Sequence, residues 1–551
     1  MKNAKAKRKL DKGLNRVGEI KAPEAAQSGE FNSISNVLRY LLSNYKFILL
    51  VVLAALGIYF NSLKGEFVAD DILGFKENVE VRDLKASLKT LNLQKVIYAM
   101  SFRFFDLNPV PLHLTHVLFH ILAVILVFVL VSMLFDKKTA KLSSLLFAVS
   151  PINTEAVSWI SASIYITNAM GFLFMAVLYL LFRNTNKIRY FLGTVVVYGI
   201  TLVLVNNSFS VMFIPLLIII DQIYNYQFEK KVSSRFRFIP LIFVMLIHIF
   251  LIVRPYSARI DYLQGSFEAN IEGSAPYFER VPYEIYSNFK LLSFPLGLSI
   301  FHEGDVVTDF DVFVFWAFTV VVFGLILYLW EIYREVSGLL LFVVVSLGPT
   351  FSPVQTSSYF TERYLYLGNV AFCSLVALFF IWISKKARFD SLAMILGGIL
   401  VILYSTKVIF RNREWSTPEN LWKSAVRVVP NSSRAHKLLG ETYLTKKDYE
   451  GASDEFKKAI ELRGGVYPDA YNNLGLSYLR LGKVNEAEKI FMGNINNYPL
   501  MWQSYYNMSE VELVKGRVSW AQSYLLKVLE LDPQNKDAKR VLESLSDAKE
   551  E

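Results

Sequence analysis

Eleven apolar runs, each close to the length of about 20 residues that a helix needs to cross a hydrocarbon layer, fill most of the chain between residues 46 and 410. In lipid only helices and closed barrels keep every backbone N–H and C=O paired, so continuous runs of this length predict membrane helices. They lie near 46–62, 112–134, 140–158, 164–182, 188–205, 208–223, 237–253, 311–331, 338–353, 364–383 and 391–410. With 53% of the 551 residues hydrophobic and 15% aromatic, a water-soluble domain is excluded. The aromatics are expected in interfacial belts and packed cores rather than in stacks for nucleobases.

The net charge of +10 does not point to nucleic acid, because Lys and Arg gather in the N-terminal tail and in short connections between apolar runs. That is the distribution of topology determinants. The tail, residues 1–43, reads as cytoplasmic: about thirty polar residues precede the first run, which does not match a cleaved signal peptide. Alternate connections then fall inside, and all five (FDKKTAK, FRNTNKIRY, NYQFEKKVSSRFRF, WEIYREVSG, SKKARFD) carry basic residues. An odd number of spans places the first outer loop (64–111), the long outer loop (254–310) and the region 411–551 together outside. Within the long loop, Tyr283 to Ile300 is a possible twelfth span. Its Lys290 and Pro295 favour an interfacial or re-entrant helix. The single cysteine, Cys373, sits in an apolar run, so no intramolecular disulfide is possible and the redox compartment is not readable from it.

After Arg411 the sequence becomes charged, Ala-rich and repetitive. Leu439, Gly440, Tyr443, Ala452, Phe456 and Ala459 are echoed by Leu474, Gly475, Tyr478, Ala487 and Phe491, and again by Met508, Gly516, Ala521, Leu525, Val528 and Pro533. Small residues where paired helices cross, large ones between them and proline at the exit make the tetratricopeptide pattern. Trp422, Ala425 and Pro430 fit the second helix of a partial unit, which gives about 3.5 repeats. Such a platform suits an extended peptide or a protein partner; self-association or plain spacing is the alternative. The expected class is therefore all-α, a polytopic membrane domain over 44–410 followed by a short α-solenoid.

Two acids, Asp70 and Asp71, stand just beyond the first span in FVADDILGFKEN. Carboxylates at a membrane face cost free energy, which marks them as functional candidates. One of them could instead cap the helix expected from Ile72. Adjacent residues on an extended segment point to opposite sides, so the two acids are not expected to share one task. His113, His116 and His120 share a helical face, but no acid is fixed beside them in sequence, so polar positions near the mouth of a cavity are a better reading than a metal site.

Several segments occur together in order: FVADDILGFKENVEVRDL after the first span, LNPVPLHLTHVLFH opening the second, LLFAVSPINTEAVSWIS ending the third, TERYLYLG opening the tenth, and RNREWSTPENLW entering the repeats. From about residue 44 to 540 the chain resembles the transmembrane and tetratricopeptide-repeat O-mannosyltransferases and their bacterial relatives, within the GT-C glycosyltransferases. The resemblance implies a GT-C-type fold for the membrane domain and a polyprenyl- or dolichyl-phosphate sugar used at the outer face. It also implies that Asp70 and Asp71 match the family's acidic motif. Inverting transfer from such a donor needs one base for the acceptor hydroxyl, while the phosphate leaves without a strong acid. Asp70 is the expected base and Asp71 a positioning group.

The chain also departs from that family. Where relatives have His-Pro-Ile-His-Thr-Glu it has Ser150, Pro151, Ile152, Asn153, Thr154 and Glu155; a Ser-Gly-Arg-x-Asp segment becomes Ser161, Ala162, Ser163, Ile164 and Tyr165; a Lys-Glu pair becomes Ser208 and Phe209. Altered donor contacts, a sugar other than mannose, or loss of catalysis are the consequences to test. Arg363 and Arg254 are candidates for the donor phosphate, with Arg254 alternatively an interfacial anchor. Glu362 is expected to pair with Arg363, Glu155 to orient hydroxyls or cap a helix, and His113 to lie on the donor side. No cofactor or metal is expected, and the partners are the lipid-linked sugar, a protein or peptide acceptor and membrane lipid, not nucleic acid.

Three classes follow: a protein glycosyltransferase, an envelope polysaccharide or lipid glycosyltransferase, and a non-catalytic membrane scaffold. A bacterial inner membrane with the repeats in the periplasm is the expected location, an endoplasmic reticulum membrane the alternative. Sequons at Asn431 and Asn507 do not separate these.

Overall fold

The computed structural model describes residues 31–228, 235–251, 277–302, 307–351 and 360–547. All regular structure among them is helical. The chain divides into two units, Met1–Leu298 with Thr308–Trp415, and Ser299–Val307 with Ser416–Glu551.

In the first unit seven helices are long and apolar enough to cross a membrane: Tyr45–Lys64, Val110–Leu134, Ile160–Thr185, Ser208–Gln227, Asp309–Ile332, Gly368–Lys386 and Leu392–Glu414. Their number is lower than the eleven runs because four runs form shorter helices, Lys137–Ala148, Ile188–Leu204, Phe236–Leu251 and Arg334–Ser346. Burial orders them: Val110–Leu134 is 72% buried at its most apolar stretch and forms the centre, whereas Leu392–Glu414 is 17% buried and turns its apolar side chains outward, as lipid contact requires. Gly338 lets Arg334–Ser346 approach Ser208–Gln227 closely, since a Cβ there would stand 2.7 Å from Ile223. The histidines of the central helix are buried; His120 bonds the Tyr366 hydroxyl at 2.7 Å and the Ala148 carbonyl at 3.0 Å.

One run does not form the single helix expected over 140–158. Pro151 has no N–H to continue the ladder and holds Ser150 extended at φ −66°, ψ 127°. The chain breaks into a 3-10 turn (Pro151–Asn153), a short helix (Thr154–Ser158) and a second 3-10 turn (Ile160–Ala162) before Ser163–Thr185 begins. Ser161, in the second 3-10 turn, thereby meets Asp71 of the acidic loop, while Glu155, in the short helix, pairs with Arg363. That loop is itself folded: Phe67, Phe75, Val81, Tyr98, Leu112 and Ile160 form a separate core that anchors it to the second turn. The segment Tyr283 to Ile300 lies in a helix, Tyr277–Ser293, that carries Arg280, Glu284 and Lys290 and is not among the seven, and in the non-helical stretch after it.

At the other end of Ile160–Thr185, Asp221 is buried between Arg183 and Arg237 and accepts a hydrogen bond from the Tyr179 hydroxyl at 2.8 Å. Two cations share one carboxylate there, and the Asn225 side-chain Oδ1 accepts from Arg183 at 2.7 Å.

The second unit begins with Pro418–Val428. Three helix pairs follow, Ser433–Thr445 with Tyr449–Leu462, Pro468–Arg480 with Val484–Asn497, and Trp502–Val514 with Val518–Leu531, and Lys536–Asp547 closes the array. The small residues lie where the repeat pattern places them: a Cβ on Gly440 would meet the Phe456 ring at 2.8 Å, and one on Gly475 the Phe491 ring at 2.6 Å. Ala452, Ala459, Ala487 and Ala521 are fully buried. The extended residues Ser299–Phe301 belong to this unit, with the Phe301 ring stacked 5.6 Å from Trp422 and the Arg434 guanidinium 4.4 Å above it.

Candidate active site

Asp70 and Asp71 lie in a helical turn, Asp71 at φ −62°, ψ −30°, and not on the extended segment expected, yet their surroundings differ. Asp70 is exposed and Asp71 fully buried. Asp71 does not cap the following turn. Its Oδ1 accepts from the Ser161 N–H at 2.8 Å and from the Ser161 hydroxyl, and its Oδ2 accepts from the Val68 N–H at 3.2 Å. Ala69, which precedes both acids, adopts φ 50°, a left-handed turn between Val68 and Asp70. Gln94 ties the other side of the loop down, donating to the Tyr98 hydroxyl at 2.7 Å and the Ser161 carbonyl at 3.1 Å. Ser161 is the side chain the sequence reading did not assign; the serine retained in an otherwise altered segment was its only signal.

Burial pushes the Asp71 carboxyl up to about 7, against the lowering effect of the hydrogen bonds from Ser161 and Val68, and the nearby Asp70 charge adds to the rise. The ordinary carboxyl value is about 3.9, so between about 4 and 7 the folded chain binds a proton that the unfolded chain does not. This group's contribution to stability is therefore full below about 4 and lost as pH rises through about 7. Thermal unfolding of detergent-solubilised protein, compared with Asp71→Asn between pH 5 and pH 8, is expected to show a wild-type midpoint that falls relative to the variant as pH rises. A constant difference would mean that Asp71 is ionised throughout.

Arg363 lies over Trp159, two residues before Ser161. Its guanidinium pairs with Glu155, whose other oxygen accepts from the Arg363 backbone N–H at 3.0 Å. Glu155 is fully buried and is committed to this arginine, so it caps no helix. The expected pairing of Glu362 with Arg363 is not found: Glu362 pairs with Arg411 at 3.1 Å, a partner 49 residues along the chain. A fully buried charge is tolerated when paired in this way; removing Glu155 strands Arg363, whereas Arg411 has a second carboxylate partner in Glu414. Arg363 also lies over the rings of Trp159 at 5.0 Å and Tyr364 at 5.1 Å.

A narrow cleft is lined by Tyr165, Asn168, Phe209, Ser346, Arg363 and Tyr364. The rings of Tyr165 and Phe209 pack 5.7 Å apart, with Phe209 5.2 Å from Tyr364. The cleft thus has one cation and an aromatic wall. His113 accepts from or donates to no acid; its Nε2 lies 3.2 Å from the Gly65 carbonyl, in hydrogen-bond geometry that makes the ring the donor, and its Nδ1 is buried without a partner among the described residues. Among the described residues no group of three His, Cys, Asp or Glu side chains is placed to hold a metal ion. Arg254 lies outside the described residues.

A family model described as tetratricopeptide repeat matches residues 433–465 and 468–493. Over 520 residues the chain is 25% identical to the Homo sapiens protein O-mannosyl-transferase TMTC3, covering 82% of this chain and 55% of that protein. The Mus musculus TMTC3 is 23% identical over 82% of the chain and 54% of its own length. A Caenorhabditis elegans protein O-mannosyl-transferase, F38B6.6, is 24% identical over 75% of the chain and 62% of its own length. The chain spans little more than half the length of these curated relatives. It is an integral membrane protein and a relative of the TMTC protein O-mannosyl-transferases, with tetratricopeptide repeats in its C-terminal unit.

Proposed function

We propose that the chain is a membrane glycosyltransferase that moves a sugar, mannose or another hexose, from a polyprenyl-phosphate carrier to hydroxyl groups of a protein acceptor at the extracytoplasmic face. The observation that carries this reading is the setting of Asp70: an exposed carboxylate whose neighbour, Asp71, is locked to Ser161, two residues from the tryptophan over which Arg363 lies. The similarity to proteins named O-mannosyl-transferases supports it.

In the proposed reaction Asp70 takes the proton of the acceptor hydroxyl as its oxygen attacks the anomeric carbon. The bond from that carbon to the carrier phosphate breaks, the configuration inverts, and polyprenyl phosphate departs with the electron pair. Arg363 faces the phosphate, held at a fixed angle by Glu155; Asp71 fixes the loop that presents Asp70. His113 lies on the donor side of this arrangement. No step calls for a metal, because the leaving phosphate is already a weak base. The repeats recruit the protein acceptor.

On this reading the seven long helices and the four shorter ones make eleven crossings in a GT-C-type arrangement, and the membrane is a bacterial inner membrane with the repeats in the periplasm. A reporter fused after Lys386 is then cytoplasmic and one fused after Glu551 extracytoplasmic. Both on one side would remove the shared compartment of acids and repeats.

The aromatic replacements at Tyr165 and Phe209 favour a second reading, a membrane scaffold without catalysis. Following labelled sugar from lipid-linked donor in membranes that contain or lack the chain separates the classes. Label in protein supports the proposal, label in polysaccharide or lipid shifts the acceptor, and label in neither leaves the scaffold.

A further inference from the structure

Two arginines, Arg363 and Arg411, are joined by two stacked indoles. The Arg363 guanidinium lies 5.0 Å from the Trp159 ring, Trp159 stacks on Trp415 with centroids 5.6 Å apart and an interplanar angle of 23°, and the Arg411 guanidinium lies 5.6 Å from Trp415. Arg411 pairs with Glu362, the residue preceding Arg363, so the column closes into a ring through the Glu362–Arg363 peptide. Trp415 and Arg411 are each 1% exposed and Trp159 4%.

This ring is a poor device for stability alone. The indole N–H groups of Trp159 and Trp415 and the Nε of Arg411 are buried without hydrogen-bond partners among the described residues, and each such group carries a desolvation penalty. Buried ion pairs are weak stabilisers against apolar residues of the same volume. What the arrangement does supply is orientation. A guanidinium between an indole face and a carboxylate is fixed in plane and in distance. Arg363 is held so from one side by Glu155 and from the other by Trp159, and Trp159 can only keep its tilt while Trp415 and Arg411 stay stacked behind it.

We propose that Trp415 and Arg411 are positioning residues for Arg363: they hold its guanidinium in the attitude that meets the phosphate of a polyprenyl-phosphate donor. The inference rests on the reading of Arg363 as the phosphate contact. Neither residue touches substrate. Trp415→Leu removes the ring that backs Trp159 but keeps an apolar side chain in the site, and Trp415→Phe keeps a stacking face.

Equilibrium binding of undecaprenyl phosphate to the detergent-solubilised full chain is the test, with kinetics as the second readout. Trp415→Leu is expected to weaken binding about tenfold, Trp415→Phe to restore it to within about threefold, and the donor KM to follow while the acceptor KM stays unchanged; a tenfold change is about 1.4 kcal/mol. A merely structural role would lower the fraction of active protein and leave the affinity of the remainder at the wild-type value, which overturns the proposal. Equal binding by wild type and Trp415→Leu overturns it while leaving Arg363 as the phosphate contact. Failure of the wild type itself to bind undecaprenyl phosphate removes the functional reading and this inference with it.

Discussion

Asp70→Asn lowers the turnover of sugar transfer by roughly two orders of magnitude or more, the range over which a positioned general base acts. The substitution keeps the volume and most of the polarity of the side chain and removes only the capacity to accept a proton. Because Asp70 is exposed and Asp71 carries the hydrogen bonds that hold the loop, the variant is expected to fold, insert and bind donor as the wild type does. The measurement is kcat on correctly inserted protein, with donor affinity as the control. Near-normal turnover would move the role of base to Asp71 or Glu155. Both are buried and already engaged, Asp71 with Ser161 and Glu155 with Arg363, so either would have to be freed by substrate before it could act.

Features set by long, repeated patterns were readable in the chain. Apolar runs of membrane length became helices, and the spacing of Gly440 and Gly475 against Phe456 and Phe491 became the crossing points of the array, because close packing there admits no Cβ. The short helices are harder to foresee, although one end is marked. Lys137–Ala148 ends just before Pro151, and the polar residues Asn153, Thr154 and Glu155 that follow the proline mark the same break. The site is harder still, because its partners meet across the fold. Asp71 and Ser161 are 90 residues apart and Glu155 and Arg363 are 208, separations at which no periodicity links a carboxylate to its donor. Hence the sequence pairs Glu362 with its neighbour Arg363, whereas the turn at Glu362–Leu365 sends the two side chains to different partners, Glu362 to Arg411 and Arg363 to Glu155. Arg411 itself sits at the end of an apolar helix, where a cation usually marks only the membrane boundary.

Truncation after Trp415 divides chemistry from recruitment. The largest buried core of the first unit is built from residues between Phe31 and Val408, and three cores of the array from residues between Ala452 and Ala538. Ending the chain at Trp415 rather than at Arg411 keeps the stacked indoles and the Glu362 pair intact. Phe301 loses the Trp422 ring in the truncated chain, so Phe301→Ser accompanies the truncation and is tested alone in the full chain as its control. Transfer to a short peptide at high concentration is expected to survive with kcat near the wild-type value. Transfer to the full protein acceptor is expected to fall through apparent KM, by about 100-fold, the low end of what a tethered second binding site adds by effective concentration. Losses of equal size for peptide and protein, in a truncated chain shown to be folded and inserted, would mean that the array completes the active site instead of delivering the acceptor to it.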